Sequence, residues 1–240
     1  MRILTYNTRG SLGMDGRRAT RRIVGVVRAL SPDIVCFQEI HQRLPWSGRE
    51  DQPAVLAEAL GRPFVFQRNL VFGFGGFGNG IATRAALGER KEHPLPSGRE
   101  QRGALEVLLR DVAGLRKLSV ICTHWGLDAG ERQRQAEALA GIVNAAARPV
   151  IVCGDLNEAP DGAAVRSLLA ATDLQEADAS QNRPTFSSSD PKVKIDYILH
   201  TPELAARNVE VISSLASDHL PLLADLEIAR DISSSISSGP

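Results

Sequence analysis

VIVCGDLN, at residues 150–157, joins a short apolar run to a polar cluster that follows it directly. The β-branched run predicts a buried strand, and Gly154 lets the backbone turn where that strand ends. Asp155 and Asn157 are two positions apart, so both face one cavity if the chain stays extended there. A carboxylate can activate a water molecule, and a nearby amide can hold that water or a phosphate oxygen. Asp and Asn also stabilise ordinary turns, so this segment alone leaves a turn and a catalytic site equally open.

Three other polar residues, Asn7, Glu39 and His124, each follow directly on a strand-like apolar run. Mg²⁺ and Mn²⁺ prefer oxygen ligands and need only one or two carboxylates from the protein, which makes Glu39 a candidate ligand. Asn7 is then either an amide near metal and phosphate or a turn residue. Taken alone, Glu39 is better explained as an ordinary solvated acid, and a lone histidine such as His124 is more often structural than catalytic.

Asp196 lies inside the apolar run of residues 195–199, where an unpaired charge would be costly. It therefore needs a partner, and His219 in the segment Ser217-Asp218-His219 is the candidate. An Asp–His pair holds the imidazolium form and fixes the tautomer, so we predict contact between Asp196 and His219.

The composition is that of a globular α/β protein, with 240 residues of which 43% are hydrophobic. We predict one domain at residues 1–230 and a serine-rich, disordered tail at residues 231–240. Lys+Arg and Asp+Glu are both 28, so a strongly basic nucleic-acid footprint is absent. No apolar stretch is long enough to span a membrane and no signal region follows Met1, which predicts a cytoplasmic monomer without membrane insertion. The three cysteines have no metal-type spacing and are predicted to be buried, reduced thiols.

Apolar runs of strand type outnumber helical patterns by about two to one, which predicts hairpins mixed with βαβ units. The predicted strands are 2–7, 33–38, 63–68, 79–84, 104–110, 117–123, 149–154, 194–200, 208–213 and 221–228. The predicted helices are 17–30, 53–60, 131–147 and 161–171. The runs 79–84, 104–110 and 117–123 follow one another without a helix and suggest an antiparallel meander. Two mixed sheets packed face to face with helices outside would accommodate this order.

The ordered set of motifs closely resembles the endonuclease/exonuclease/phosphatase superfamily, the fold of pancreatic deoxyribonuclease. The matching segments are TYNTRG with Asn7, DIVCFQE with Glu39, FGNGIATR with Asn79, THWGL with His124, GDLN with Asp155 and Asn157, KIDYIL with Asp196, and SDHLPL with Asp218 and His219. They cover residues 3–222 in the family's order, and the combination is far more specific than any one motif. THWGLDAGERQRQ and RPTFSSSDPKVKIDYIL look like its bacterial sphingomyelinase-like or tyrosyl-DNA-phosphodiesterase-like branches.

The resemblance implies a four-layer α-β-β-α sandwich of two mixed, largely antiparallel β-sheets with outer helices. It implies a phosphoester hydrolase that uses Mg²⁺ or Mn²⁺. It also implies residue roles. The metal would be bound by Glu39, Asn7 and Asp218, and the attacking water would be activated by Asp155 and Asn157. His219, held by Asp196, would stabilise phosphoryl oxygens, and His124 would bind phosphate or assist the leaving group. The substrate would be contacted by Asn79 and Arg102.

The substrate is the least determined part of this interpretation. Trp46 and Trp125 would wall the cleft, whereas Arg102 is equally a solvated loop residue. Phe72, Phe74 and Phe77 lie in one Gly-rich segment, where we expect them to pack on the core or on each other rather than on bases or lipid. Zero net charge disfavours strong non-specific DNA binding. We therefore expect a phosphodiester of a lipid headgroup or small molecule, with a DNA or RNA nuclease and a metal-free binding protein as alternatives.

Overall fold

The computed structural model describes residues 1–229 and contains twelve strands and four α-helices. The strands are β1 (Arg2–Asn7), β2 (Ile34–Gln42), β3 (Phe64–Phe72), β4 (Gly75–Thr83), β5 (Ala86–Leu95), β6 (Arg102–Val112), β7 (Leu115–His124), β8 (Val150–Asp155), β9 (Gln175–Glu176), β10 (Asp196–His200), β11 (Leu204–Val211) and β12 (Leu222–Ile228). The helices are α1 (Thr20–Leu30), α2 (Gln52–Leu60), α3 (Ala129–Ala145) and α4 (Ala163–Ala171). The disordered tail predicted at 231–240 lies outside the described residues.

Two six-stranded sheets form the centre of the molecule, in the orders β11-β12-β1-β2-β4-β3 and β5-β6-β7-β8-β10-β9. The pairs β1–β2 and β7–β8 are parallel, and the other neighbours are antiparallel. Both sheets contribute apolar side chains to one core, such as Ile34 and Ile81 from the first and Val120 and Ile151 from the second. The two sheets therefore pack face to face, with that core between them.

The helices cover the outer faces of the two sheets. Ile23 of α1 and Leu56 of α2 pack against the first sheet, and Leu139 of α3 packs with α4 against the second. Asp128 caps α3 by accepting a hydrogen bond from the Glu131 N–H at 2.9 Å, which satisfies one of the free donors of its first turn. The predicted four-layer α-β-β-α sandwich is confirmed.

Two predictions about the elements are wrong. The strand β5 was not predicted, because it is an edge strand whose residues 86–94 are mostly exposed and polar, and so it lacks the apolar alternation of a half-buried strand. The run 79–84 does not join a meander with 104–110, because β4 belongs to the first sheet and the meander is β5-β6-β7 in the second.

Cys36, Cys122 and Cys153 are confirmed as buried, free thiols, and they lie in the core between the sheets. No helix within residues 1–229 is long and apolar enough to cross a membrane.

Strand β8 lies close to β7 at Gly154, where an added Cβ would lie 2.0 Å from the Thr123 carbonyl oxygen. Gly154→Ala is therefore expected to lower the free energy of unfolding by about 1–3 kcal/mol or to prevent folding. Gly141→Ala in α3 is the matched control, because its Cβ would meet nothing within 4 Å. It should instead raise stability by roughly 0.5–1 kcal/mol. Urea unfolding followed by circular dichroism measures both, and a Gly154→Ala protein as stable as wild type would contradict this close approach.

Candidate active site

A cleft of about 430 Å³ opens at one end of the sandwich, where side chains from both sheets meet. Its lining combines acids, two histidines, one amide and one arginine with four apolar side chains. The lining residues are Glu39, Phe77, Glu100, Arg102, His124, Leu127, Asp155, Asn157, Phe186, Ile195, Asp218 and His219. The register of the second sheet aligns Asp155 with His124 on β7 and with Asp196 on β10, so neighbouring strands bring these groups to one row.

The sequence predicted Glu39 at the end of a strand. In the structure, Glu39 instead reaches the cleft from a β-bulge within β2. Strand β2 continues to Gln42, and its pairing with β4 shifts between Phe37 and Ile40. Glu39 lies in this shift with a positive φ of 56°, a conformation that aims its side chain away from the regular alternation. Burial raises the pKa of this carboxyl above its usual value, while the Asn7 amide opposes the shift.

Asn7 connects the two sheets across the floor of the cleft. Its amide nitrogen donates to Oε1 of Glu39 at 3.0 Å and to Oδ2 of Asp155 at 2.9 Å. Its own Oδ1 accepts from the Arg9 N–H at 3.1 Å, which fixes the orientation of the amide. A single side chain thus sets the distance between two carboxylates that lie on different sheets.

Asp155 is the centre of the site. Its Oδ1 accepts from the Asn157 N–H at 2.9 Å, and its Oδ2 lies 3.5 Å from Nε2 of both His124 and His219. Asn157 has a positive φ of 49°, so the chain turns here and does not stay extended. Asp155 and Asn157 therefore form a turn and also line the cleft, so the two explanations that the sequence left open for this segment are both correct. Burial raises the pKa of Asp155, and the charge of His219 opposes that shift.

The predicted contact between Asp196 and His219 is confirmed, since Nδ1 of His219 lies 2.9 Å from Oδ2 of Asp196. Burial disfavours the imidazolium, but the charges of Asp196 and Asp155 outweigh burial and raise the pKa of His219 to about 10. The hydroxyl of Thr185 accepts from the Asp196 N–H at 3.2 Å and holds the start of β10. The ring of Phe186 packs against His219 at 4.9 Å between centroids.

Asp218 turns away from the His219 imidazole and pairs instead with Arg9, at 3.2 Å between Nε and Oδ2. The preceding Ser217 donates to the Asn7 carbonyl at 2.8 Å and so ties this segment to β1. Asp218 remains part of the cleft lining, with its Oδ2 paired to Arg9 and its Oδ1 accepting from the Ser217 hydroxyl at 3.3 Å.

His124 is held by Arg102 from the neighbouring strand. A guanidinium nitrogen of Arg102 lies 2.9 Å from Nδ1 of His124, and because arginine can only donate, that nitrogen must accept. The neutral ring then carries its proton on Nε2, which lies 3.5 Å from the acceptor Oδ2 of Asp155. Burial and the charges of Arg102 and His219 lower the pKa of His124 well below its usual value. His124 is therefore a neutral hydrogen-bond donor in this geometry.

Two predicted substrate contacts do not lie in the cleft. The indole of Trp125 is fully buried among the side chains beneath α3 and α4, and only its carbonyl reaches the site, where it accepts from Asn157 at 2.8 Å. Asn79 is 1% exposed and donates to the Gly103 carbonyl at 2.9 Å, so it holds β4 to β6. The prediction that Trp46 walls the cleft is also wrong, because its exposed ring packs on Phe72 and is not among the lining residues.

Several residues that sequence reasoning did not assign belong to the site, among them Phe186, Leu127 and Arg9. Phe186 and Leu127 line the cleft, and Arg9 neutralises Asp218. Arg9 stands inside the TYNTRG segment, and a basic residue two positions after Asn7 is the signal that was available for it. Nothing in the local sequence separates Leu127 from an ordinary surface leucine.

The donor set of the cleft fits a hard divalent cation near Glu39. Within residues 1–229 the Glu39 carboxylate has one hydrogen-bond donor, the Asn7 amide, and forms no salt bridge. A half-buried carboxylate without a cationic partner carries a desolvation cost, and Mg²⁺ or Mn²⁺ bound by oxygen ligands removes that cost. Asp155, Asp196 and His219 also offer donor atoms within 4.8 Å of one another. His219 and Asp196 are already hydrogen bonded to each other there, so the Glu39 position suits the cation better.

Comparisons with known proteins agree with this fold. A sequence profile of the "Endonuclease/Exonuclease/phosphatase family" matches residues 4–219. The chain is 28% identical to "Uncharacterized protein YbhP" of Escherichia coli strain K12, over 95% of this chain and 96% of that protein. It superimposes on an endonuclease/exonuclease/phosphatase from Beutenbergia cavernae DSM 12333 with a TM-score of 0.83 and 26% identity, covering 95% of this chain and 71% of that one. A mannosyl-6-phosphatase of Bacteroides thetaiotaomicron VPI-5482 shares the fold, with a TM-score of 0.76 and 16% identity over 94% and 99% of the two chains.

Proposed function

Because the chain belongs to the endonuclease/exonuclease/phosphatase family, we propose that it is a phosphodiesterase that depends on Mg²⁺ or Mn²⁺. One observation supports this proposal above the others. The Asp155 carboxylate lies within 3.5 Å of two imidazoles, and the Asn7 amide joins it to the half-buried acid Glu39, which lines the same cleft. This arrangement combines a base, two phosphate-binding groups and a metal ligand in one cavity.

Each side chain has a distinct role in the proposed reaction. Asp155 accepts the proton of the attacking water, and Asn157 positions that water beside it. His219, kept protonated by Asp196, offers Nε2–H to a phosphoryl oxygen as negative charge develops there. His124 offers a neutral Nε2–H donor to the same group, and Arg102 fixes its tautomer. A divalent ion held by Glu39 with Asn7 and Asp218 would neutralise phosphate charge and stabilise the leaving oxygen.

The charges of the cleft favour a diester over a monoester. The lining contributes the Arg102 guanidinium and the His219 imidazolium as cations, against the acids Glu39, Asp155 and Asp218. Glu100 forms a salt bridge with Arg102, at 3.0 Å between the carboxylate and the guanidinium, and so reduces the positive potential that Arg102 contributes to the cleft. A diester brings one negative charge to this site, whereas a monoester brings about two. Phe77, Phe186, Leu127 and Ile195 offer apolar surface to the substituents of such a diester.

Hydrolysis of bis-p-nitrophenyl phosphate tests the proposal directly. We expect turnover with Mg²⁺ or Mn²⁺, loss of turnover with EDTA, and recovery when the ion is restored. Turnover that ignores chelation would contradict the metal mechanism. The absence of turnover with any phosphoester would favour a binding protein on this fold.

Glu39→Gln tests the metal position with a readout that is independent of turnover. The substitution keeps the size of the side chain and removes the charge, so Mn²⁺ affinity measured by calorimetry should fall about 10- to 100-fold. Glu92→Gln is the matched control, since Glu92 is an exposed acid on β5 and its loss should leave Mn²⁺ binding unchanged. Equal Mn²⁺ affinity in Glu39→Gln and wild type would place the ion elsewhere.

A nucleic acid is the second candidate substrate, because Phe74 is 96% exposed and a free aromatic ring can stack on a base. Plasmid DNA, single-stranded DNA, sphingomyelin, phosphatidylinositol phosphates and nucleotides, assayed side by side, distinguish the substrate classes.

A further inference from the structure

An exposed apolar surface, here called the hairpin tip, consists of Trp46, Val71, Phe72 and Phe74. Phe74 is 96% exposed, and the other three are each more than half exposed. The expectation that Phe72 and Phe74 pack on the core is therefore wrong. Phe72 packs only edge-on against Trp46, at 5.1 Å between ring centroids. Clustered aromatic surface of this kind marks an interaction site on a folded protein.

The hairpin tip lies beside the mouth of the cleft. Strands β2, β4 and β3 all continue past the level of Glu39, with Gln42 paired to Gly76 and Phe72 paired to Gly75. Phe77 on β4 lines the cleft, and Gly75 lies two residues away, which is about 7 Å along the strand. On another part of the lining, Leu127 is 77% exposed. Exposed apolar side chains thus border the cavity that contains the proposed chemistry.

The charge around the hairpin tip is positive although the whole chain is neutral. Residues 43–49 and 68–78 include three arginines, Arg43, Arg49 and Arg68, and no Asp or Glu. All three arginines are exposed. Of the two adjoining acids, Glu50 accepts from the Thr20 hydroxyl, whereas Asp51 caps α2 and also pairs with Arg43 at 2.9 Å between Oδ2 and Nε. Arg49 and Arg68 therefore supply the positive charge of the tip.

We infer that the hairpin tip docks onto an anionic lipid surface and thereby brings a lipid phosphodiester headgroup to the cleft. The docking itself does not depend on the proposed function, whereas the delivery of a lipid phosphodiester headgroup to the cleft rests on it. Trp and Phe settle at the boundary of headgroups and acyl chains, and nearby arginines pair with anionic lipid phosphates. A hairpin tip has a convex form that can enter this boundary, whereas single-stranded nucleic acid is bound along a positively charged groove. Val71 adds aliphatic surface, which suits acyl chains and does not stack on bases.

Vesicle flotation tests the docking, with 1:1 phosphatidylcholine and phosphatidylglycerol vesicles compared with phosphatidylcholine alone. Wild type should float with the anionic vesicles, and more weakly at high salt. The double variant Phe72→Ser/Phe74→Ser should bind about 100-fold more weakly, as expected from the apolar surface that it no longer buries. Leu215→Ser is the matched control, since Leu215 is 58% exposed on a separate surface beside Met14 and Arg22.

Trp46 is a native probe, because the only other tryptophan, Trp125, is fully buried. Brominated lipid should therefore quench Trp46 in wild type.

The outcomes separate the docking from the chemistry. Tip variants should hydrolyse soluble bis-p-nitrophenyl phosphate at the wild-type rate, and lose only their activity on lipid phosphodiesters in vesicles. If wild type floats in a tip-dependent manner but hydrolyses no phosphoester, the docking stands and the proposed function fails. If wild type does not bind anionic vesicles, or if the double variant binds them equally well, the proposed docking is wrong. Neither result would contradict hydrolysis of the soluble substrate. Tip-dependent binding of a 20-nucleotide single strand without vesicle binding would overturn it in favour of nucleic acid. A dimer in light scattering that the double variant abolishes would overturn it in favour of a second copy of this chain.

Discussion

Asp155→Asn is expected to lower kcat for bis-p-nitrophenyl phosphate by about 10³- to 10⁴-fold, because the variant removes the base that accepts the proton of the attacking water. The substitution preserves the volume of a fully buried side chain, so the sandwich should still form. The amide cannot accept a proton, and it also removes a charge that helps to keep His219 protonated. Steady-state kinetics at saturating Mg²⁺, together with circular dichroism of the variant, measures this loss on folded protein.

The matched control is Asp173→Asn, which removes an exposed carboxylate that pairs with Arg148 on the surface. We expect no change in kcat there, since exposed ion pairs contribute little to stability and this one is not part of the cleft lining. If Asp155→Asn keeps more than about a tenth of wild-type kcat, Asp155 is not the base.

The residues at the centre of the site were predictable because burial constrains them. An acid in the apolar run 195–199 required a partner, and the structure supplies His219 at 2.9 Å. The buried strand β8 likewise begins and ends within one residue of its prediction, since it is covered on both faces and is apolar from Val150 to Cys153. Partly exposed side chains are not constrained in this way, so the sequence alone did not identify which of them line the cleft.

Features that depend on how strands pair could not be read from one stretch of sequence. Glu39 lies at a bulge whose position appears only in the register between β2 and β4. The bond from Arg102 to His124 similarly requires β6 to meet β7 with Gly103 opposite His124. The hairpin tip is exposed because β3 and β4 extend beyond the layers that cover the rest of the sheet, so apolar residues there have nothing to pack against.

Trp125 is the one misassignment that the sequence could have prevented. In a strand, neighbouring side chains point to opposite faces of the sheet. His124 ends β7 and faces the cleft, so the next side chain should face the helical layer, which is where the indole of Trp125 lies. Periodicity was a better guide at this position than the chemistry of the residue.

Asp196→Asn is expected to lower kcat by about 10²- to 10⁴-fold with a smaller change in KM, because His219 loses the carboxylate that orients its ring and favours its proton. In wild type Asp196 contributes to a His219 pKa of about 10, so the ring stays protonated across neutral pH. Asp178→Asn is the control for losing a buried carboxylate. It breaks the pairs with Lys194 and Arg183, outside the cleft lining, and should reduce stability while kcat of the folded protein stays close to wild type.

A double-mutant cycle decides how Asp196 acts. If Asp196 works only through His219, then Asp196→Asn should cause no further loss of kcat once His219→Ala is present. The structure also allows a second arrangement, in which donor atoms of Asp155, Asp196 and His219 lie within 4.8 Å and hold a metal together. Under that arrangement Asp196→Asn should weaken Mn²⁺ binding in both backgrounds and lower kcat further in the His219→Ala protein. The hydrogen bond of 2.9 Å between Asp196 and His219 leads us to expect the first result, with Mn²⁺ affinity unchanged by Asp196→Asn and dependent on Glu39.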